Sequence, residues 1–327
     1  MAGIARLRKI QLGAEATPGT PVAATTIWRG LGAFIGDLQE VVAAREDVGY
    51  IGGTDRTLTV GKGARLGMPA TAATFEQLPY VLMGGVANVS PTGAGDAKTW
   101  TFPLATTSAP SVKTYTIEAG DNQQAHEMEY SHVEEFRLWG AQAGALYMAS
   151  TWRGRQRTPA SFTGSLSVPP VEEVAFSVGK LYIDAAGGTL GATEKSGTLL
   201  RALLNVRTGL RPYHTGDGKL YFTGLSYDEP AVGLMVTFLY NGTATAEEAN
   251  FRNETARLIR LQWEGSELEE GVNRTLRVDL AGKWTRFEVV GEERGKNVVR
   301  AHFQARYDTT ASKFAELVVI NALASLP

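Results

Sequence analysis

Val299-Arg300-Ala301-His302-Phe303-Gln304-Ala305-Arg306-Tyr307 alternates without a break between apolar and polar side chains. Successive side chains of an extended strand point to opposite faces, so this stretch puts Val299, Ala301, Phe303, Ala305 and Tyr307 on one side. Arg300, His302, Gln304 and Arg306 fall on the other, which is the pattern of a half-buried β-strand. The same reading extends to Leu276/Val278/Leu280, Ile259/Leu261/Trp263, Leu234–Tyr240, Thr114–Glu118, Glu129–Trp139 and Leu146–Trp152, with a β-branched run over Leu317–Ile320. Thirty-seven glycines spread along 327 residues supply turns between many short strands.

Helical spacing is rare. Thr71–Gly84 sets Phe75, Leu78, Val81 and Leu82 on one side, with Thr71 or Thr74 as cap, and Pro79 predicts a kink or a late start. A second helix is predicted from Thr243 or Thr245 to Arg252. The chain is therefore expected to be mainly β with one short α-helix in each half. Residues 84–99 read as a surface loop and residues 185–197 as a flexible joint, which divides the chain into domains at 1–190 and 191–327. A weak echo joins the halves. Ile117-Glu118-Ala119-Gly120 is set beside Gln262-Trp263-Glu264-Gly265, and Phe136-Arg137-Leu138-Trp139-Gly140 beside Val278-Asp279-Leu280-Ala281-Gly282.

Composition narrows the function. With 43% hydrophobic and 20% charged residues the chain can bury a core, and a net charge of −2 gives no basic excess for gripping phosphates. The absence of cysteine removes disulfides, thiolate metal sites and cysteine nucleophiles, and suits a reducing cytoplasm. The start of the chain has no signal-peptide pattern, and no apolar run reaches the ~18 residues of a membrane span.

The chemistry-bearing residue types form no catalytic constellation. His126-Glu127 followed by His132 lacks the spacing of a zinc helix. Acid pairs at Glu134-Glu135, Glu172-Glu173, Glu247-Glu248, Glu269-Glu270 and Glu292-Glu293 are expected in solvated turns, since neighbours on a strand cannot face one cleft. Gly61–Gly67 is expected to be a hairpin turn, and Arg153-Gly154-Arg155-Gln156-Arg157 a solvated loop, the other readings being a loop that pairs with a neighbour's acids or touches DNA weakly. No enzyme, cofactor or metal is expected.

Two segments carry a resemblance. Arg8–Thr25 contains Gly13, Glu15, Gly19 and Thr20 in a Gly-x-Glu-x-x-x-Gly-Thr turn followed by an Ala/Thr-rich run, and Gly67–Leu82 reads as a strand running into a helix, with Trp100-Thr101-Phe102-Pro103 after it. In these features the chain resembles the major tail tube proteins of siphophages, in their two-domain variant. The resemblance implies two tandem tail-tube-type β-sandwich or open-barrel domains with extended arms and loops. It also implies a structural virion protein of the tail, assembled in the host cytoplasm. Its partners would be its own copies as trimeric rings stacked into a tube, the tape measure protein, and tail terminator and tail-tip proteins. Double-stranded DNA would pass through without specific binding, and no membrane is involved. Residues 31–66 are the expected inter-ring stacking segment, with Phe34, Ile35, Leu38, Val41, Val42, Tyr50 and Ile51 as its contacts; the other reading of this segment is an internal hairpin. The rival function is a β-sandwich glycan-binding or adhesion module, whose aromatic patch would draw on Trp100, Trp139, Trp152, Trp263 and Trp284.

Overall fold

The computed structural model describes residues 2–326. The first half holds β1 (Lys9–Ala14), β2 (Thr26–Ile27), β3 (Gly36–Ala43), β4 (Thr57–Ala72), α1 (Leu78–Gly85), β5 (Lys98–Pro103), β6 (Tyr115–Gly120), β7 (Ala125–Ala141), β8 (Tyr147–Gly154) and β9 (Thr158–Ala160). The second holds β10 (Lys180–Ala185), β11 (Leu199–Arg207), β12 (Leu210–Tyr213), β13 (Gly224–Tyr227), β14 (Ala231–Leu239), α2 (Gly242–Arg252), β15 (Arg257–Glu269), β16 (Val272–Phe287), β17 (Gly291–Glu293), β18 (Lys296–Ala305) and β19 (Ala315–Asn321). The chain is mainly β, half strand and 8% helix.

One antiparallel pairing scheme occurs twice. In the first half β1 pairs β6, β6 pairs β7, β7 pairs β8, β8 pairs β4 and β4 pairs β3. In the second, β10 pairs β15, β15 pairs β16, β16 pairs β18, β18 pairs β14 and β14 pairs β11. β7 and β16 are each long enough to serve two partners, β6 or β15 early and β8 or β18 late. Even the irregularity repeats: the register shifts between Val133 and Glu135 on β7, and between Trp284 and Arg286 on β16. Such a bulge leaves one residue unpaired and bends the strand.

This scheme corrects the register of the sequence echo. Val133, Glu134 and Glu135 correspond to Trp284, Thr285 and Arg286, which sets Phe136 beside Phe287 rather than Val278. Because Tyr115 pairs Ser131 where Arg257 pairs Gly282, the equivalent of Glu118 is Arg260 rather than Trp263. Similar short words at similar spacing had slipped by several residues.

The two sets of strands are continuous with each other. β7 pairs β11 from Glu135↔Arg207 to Ala141↔Arg201, which joins both into one sheet running β3-β4-β8-β7-β11-β14-β18-β16. At the far end, β19 lies between β16 and β5, pairing Val319 with both Leu276 and Trp100. One apolar cluster includes residues of both halves, among them Trp100, Trp152, Phe176, Trp263 and Phe303.

The helices follow local chemistry. Thr74 Oγ1 accepts the Gln77 N–H at 3.2 Å, and Pro79 sits in the first turn, where its missing N–H costs nothing. So α1 starts late, and residues 57–72 before it are strand. All eight residues of α1 are buried, as expected of a helix apolar on every side. α2 is capped by Asn241, whose side-chain oxygen accepts the N–H groups of Thr243 and Ala244. Gly61–Gly67 is not a turn; it lies inside β4, whose Gly61–Arg65 stretch pairs with β3 from Glu40 to Gly36. Residues 185–197 form a tied turn rather than a flexible joint: the buried Asp184 carboxylate accepts the N–H groups of Gly191 (2.8 Å), Ala192 (3.2 Å) and Thr193 (2.9 Å).

Candidate assembly surfaces

The β3–β4 hairpin stands away from the body. Seven of the eight residues of β3 are exposed and Leu38 is half-buried. A strand that packs on neither face normally loses its apolar residues. Here Val41 (52% exposed), Val42 (52%), Leu58 (67%) and Val60 (43%) remain, and the connecting loop adds Val48, Tyr50 (78%) and Ile51, which is fully exposed. The loop has its own order: the Glu46 carboxylate accepts from Thr54 Oγ1 and from Arg56 Nη1 at 3.0 Å. The Thr54 hydroxyl first, and the Arg56 guanidinium after it, hold the Glu46 carboxyl below its ordinary pKa. Of the seven residues expected to contact a neighbour, Phe34, Val41, Val42, Tyr50 and Ile51 are exposed and Leu38 is half-buried. Ile35 is core, at 2% exposure.

The second surface is the pair of free edges at the ends of the long sheet. β3 pairs only β4, and β16 beyond Gly282 pairs only β18 among the described residues. Backbone N–H and C=O groups along such edges have no strand partner and template the addition of another strand. Beside the second edge Val289 is 95% exposed, two residues after Phe287, which stacks on Phe251 and meets Trp284 edge-on.

Between the two edges, the solvent face of the sheet curves around a cavity of about 830 Å³ lined by Glu135, Arg137, Trp139, Tyr147, Arg201 and Met235, among others. Trp139 stacks on Tyr147 with ring centres 6.0 Å apart, and the Arg137 guanidinium lies 5.9 Å from the Trp139 ring. Arg201 donates to Glu293 at 2.8 Å across the rim. The other tryptophans named for an aromatic patch, Trp100, Trp152, Trp263 and Trp284, are buried.

Buried carboxylates set the frame that carries these surfaces. Glu15 accepts from the N–H groups of Gly19 (2.7 Å) and Tyr130 (2.8 Å) and from the hydroxyls of Thr114 (2.7 Å) and Thr116 (3.0 Å). This gives the Gly13–Thr20 turn a physical reason: Glu15 closes it, and Gly19 takes φ +78°, which favours glycine. Glu118 does the same for the next stretch, accepting from Thr163 N–H (2.7 Å) and Thr163 Oγ1 (2.5 Å). The acid pairs are not all solvated turns. Glu247 is 2% exposed and accepts from Arg257 Nη2 (2.8 Å) and Trp284 Nε1 (2.9 Å). Glu172 accepts the Ser266 N–H at 2.7 Å and stands 3.5 Å from Arg274. Spacing alone carries no trace of partners so distant in sequence.

The basic cluster is also spoken for. Arg155 donates to the carbonyl oxygens of Phe222 (3.1 Å) and Thr223 (2.9 Å) and lies 4.5 Å from the Tyr130 ring centre, so it grips the β12–β13 hairpin instead of facing solvent. His126 and His132 both lie on β7, His132 buried and His126 half-buried. Among the described residues no three His, Cys, Asp or Glu side chains come together to hold a metal ion, and no helix is long and apolar enough to cross a membrane. No family model matches the chain, and no curated protein matches it either.

Proposed function

We propose that the chain is a structural subunit that assembles with its own copies into stacked rings, the wall of a phage tail tube through which DNA passes during ejection. The observation that carries this reading is a sheet built from two copies of one strand scheme, with an unpaired edge at either end and an apolar hairpin projecting from one of them. Edges explain growth around a ring. A projecting arm explains growth along an axis, a head-to-tail contact that continues as a filament. The resemblance of Gly13–Thr25 and Gly67–Leu82 to tail tube proteins supplies the virion context, in which the two halves are tandem tube domains and three chains close a ring. Its expected partners are then the tape measure, terminator and tail-tip proteins.

The rival, a glycan-binding or adhesion module, has the Trp139–Tyr147 stack beside the cavity in its favour. Electron microscopy of the purified protein after concentration or mild heating separates the two. Rings or hollow filaments are expected from the wild type. A variant with residues 44–55 replaced by a two-residue Asn-Gly turn should melt like the wild type and form no filaments. Filaments from that variant remove the hairpin from the mechanism; monomers that bind sugars overturn the assembly reading.

A further inference from the structure

A single row of side chains crosses the solvent face of the long sheet. Tyr147 on β8 lies opposite Trp139 on β7, Trp139 opposite Leu203 on β11, and Leu203 opposite Met235 on β14. Met235 then lies opposite His302 on β18, and His302 opposite Arg286 on β16. Paired residues of an antiparallel sheet share a face, and the sequence neighbours Leu138, Leu204, Val236 and Phe303 are core, so the row faces outward. Tyr147 is 42% exposed, and Trp139, Leu203 and Met235 are half-buried. From Trp139 to Arg286 the row spans roughly 19 Å at ~4.8 Å per strand step.

Charge is unevenly placed around this row. The next row along the strands joins Arg137 to Lys283 through Asn205, Gly233 and Gln304. On the other side Arg201 and Arg300 both lie opposite Thr237. The carboxylates that reach this face are occupied: Glu293 by Arg201 at 2.8 Å, and Glu288 by His302 at 2.9 Å and Arg300 at 3.4 Å. Glu135 lies at the margin, opposite Thr151 and Arg207. Arg137, Lys283 and Arg286 form no ion pair among the described residues. A chain with a net charge of −2 therefore keeps an excess of positive charge on one face.

We propose that this face binds single-stranded nucleic acid, with bases extending the Trp139–Tyr147 stack and phosphates meeting Arg137, Lys283 and Arg286. The site is complete within one chain, so it stands apart from the assembly reading. An exposed antiparallel sheet with aromatic residues on adjacent strands is a platform on which unpaired bases stack, and cations beside it follow the backbone. Charge complementarity selects a polyanion, because a neutral sugar would leave those cations unanswered. The stacked rings select unpaired bases, because a duplex keeps its base faces inside its own stack. The cavity of about 830 Å³ opens on the same residues, Arg137, Trp139, Tyr147, Leu203 and Met235.

Fluorescence anisotropy of a fluorescein-labelled oligothymidylate about twelve nucleotides long, titrated with the full chain, tests this. Saturable binding is expected, weakening with salt by about 0.7 in log K per log salt for each phosphate held. Trp139→Ala should weaken binding about tenfold, the loss of one stacked base. Tyr147→Ala, at an exposed ring, should do the same while melting like the wild type. Arg137→Gln with Arg286→Gln should flatten the salt slope by about 1.4. The same strand annealed to its complement, and heparin, which has charge and no bases, should both bind about tenfold more weakly than the single strand. Equal affinity for the duplex or for heparin overturns the proposal, as does a single strand that binds Tyr147→Ala and Trp139→Ala unchanged. Absence of binding at low salt overturns it too.

Discussion

His132 lies edge-on to Phe222 with ring centres 5.9 Å apart, and its Nδ1 is 3.4 Å from the Tyr130 carbonyl oxygen. Nε2 has no hydrogen-bond partner among the described residues. Burial, with the neighbouring Arg153 charge adding to it, pushes the imidazole pKa down to about 4, against the Tyr130 hydrogen bond, which acts in the other direction. The folded state thus refuses a proton that the unfolded chain accepts near pH 6.5. Between those two values the unfolded state binds more protons, so stability falls as pH falls from above 6.5 toward 4, by about 2 kcal/mol at pH 5. His132→Phe keeps the shape and removes the titration. Urea midpoints of the two proteins at pH 7.5 and pH 5 should converge or cross as the wild type alone loses that increment; parallel loss in both would place the pH dependence elsewhere. None of this is legible from the sequence, which shows His132 only as one position of the predicted strand Glu129–Trp139. The bulge that turns Tyr130 to φ +54°, and Phe222 ninety positions on, decide its burial.

At the scale of elements, alternation of period two located the strands well, because a half-buried strand writes its two faces directly into the sequence. It located β18, β16, β15 and β8 for that reason. It did less well where both faces are exposed, as in β3, or where glycine interrupts a strand, as at Gly61–Gly67 in β4. The β12–β13 hairpin has no such pattern in the sequence, since it is held by another element: Arg155 clasps its backbone and lies under Tyr130, Tyr221 and Phe222. A planar guanidinium that makes two carbonyl bonds while stacked on rings is not replaced by an ammonium. Arg155→Ala is therefore expected to destabilise by about 2 kcal/mol and to speed amide exchange across residues 210–227 while leaving β14–β18 protected. Arg155→Lys should recover little. Exchange that rises evenly over the whole chain would show that Arg155 acts on global stability instead of latching the hairpin.

At the scale of the whole molecule, the strands of the two halves are shared. β7 joins β11, β19 joins β5, and one apolar cluster takes residues from both. The chain should accordingly unfold in a single cooperative transition, with calorimetric and van't Hoff enthalpies equal. Two resolved transitions, or a fragment of residues 1–160 that folds alone with native near-ultraviolet dichroism, would contradict this. The sequence offered the repetition of the scheme only as a hint. Packing preserves pairing order and bulge position, both invisible without the sheet, and leaves the residue words free to drift.

The β5–β19 contact also bears on timing. Trp100 Nε1 donates to Asn321 Oδ1 at 3.1 Å, and Asn321 Nδ2 donates to the Phe75 carbonyl oxygen at 2.7 Å, in the heart of the first half. On the ribosome, therefore, a chain not yet extended to residue 321 has a first half whose core is open. Contacts across such sequence separations are slow to form. Newly made chains keep the core of their first half open until β19 has been synthesised, and chains cut short before Asn321 lack the contacts that close it.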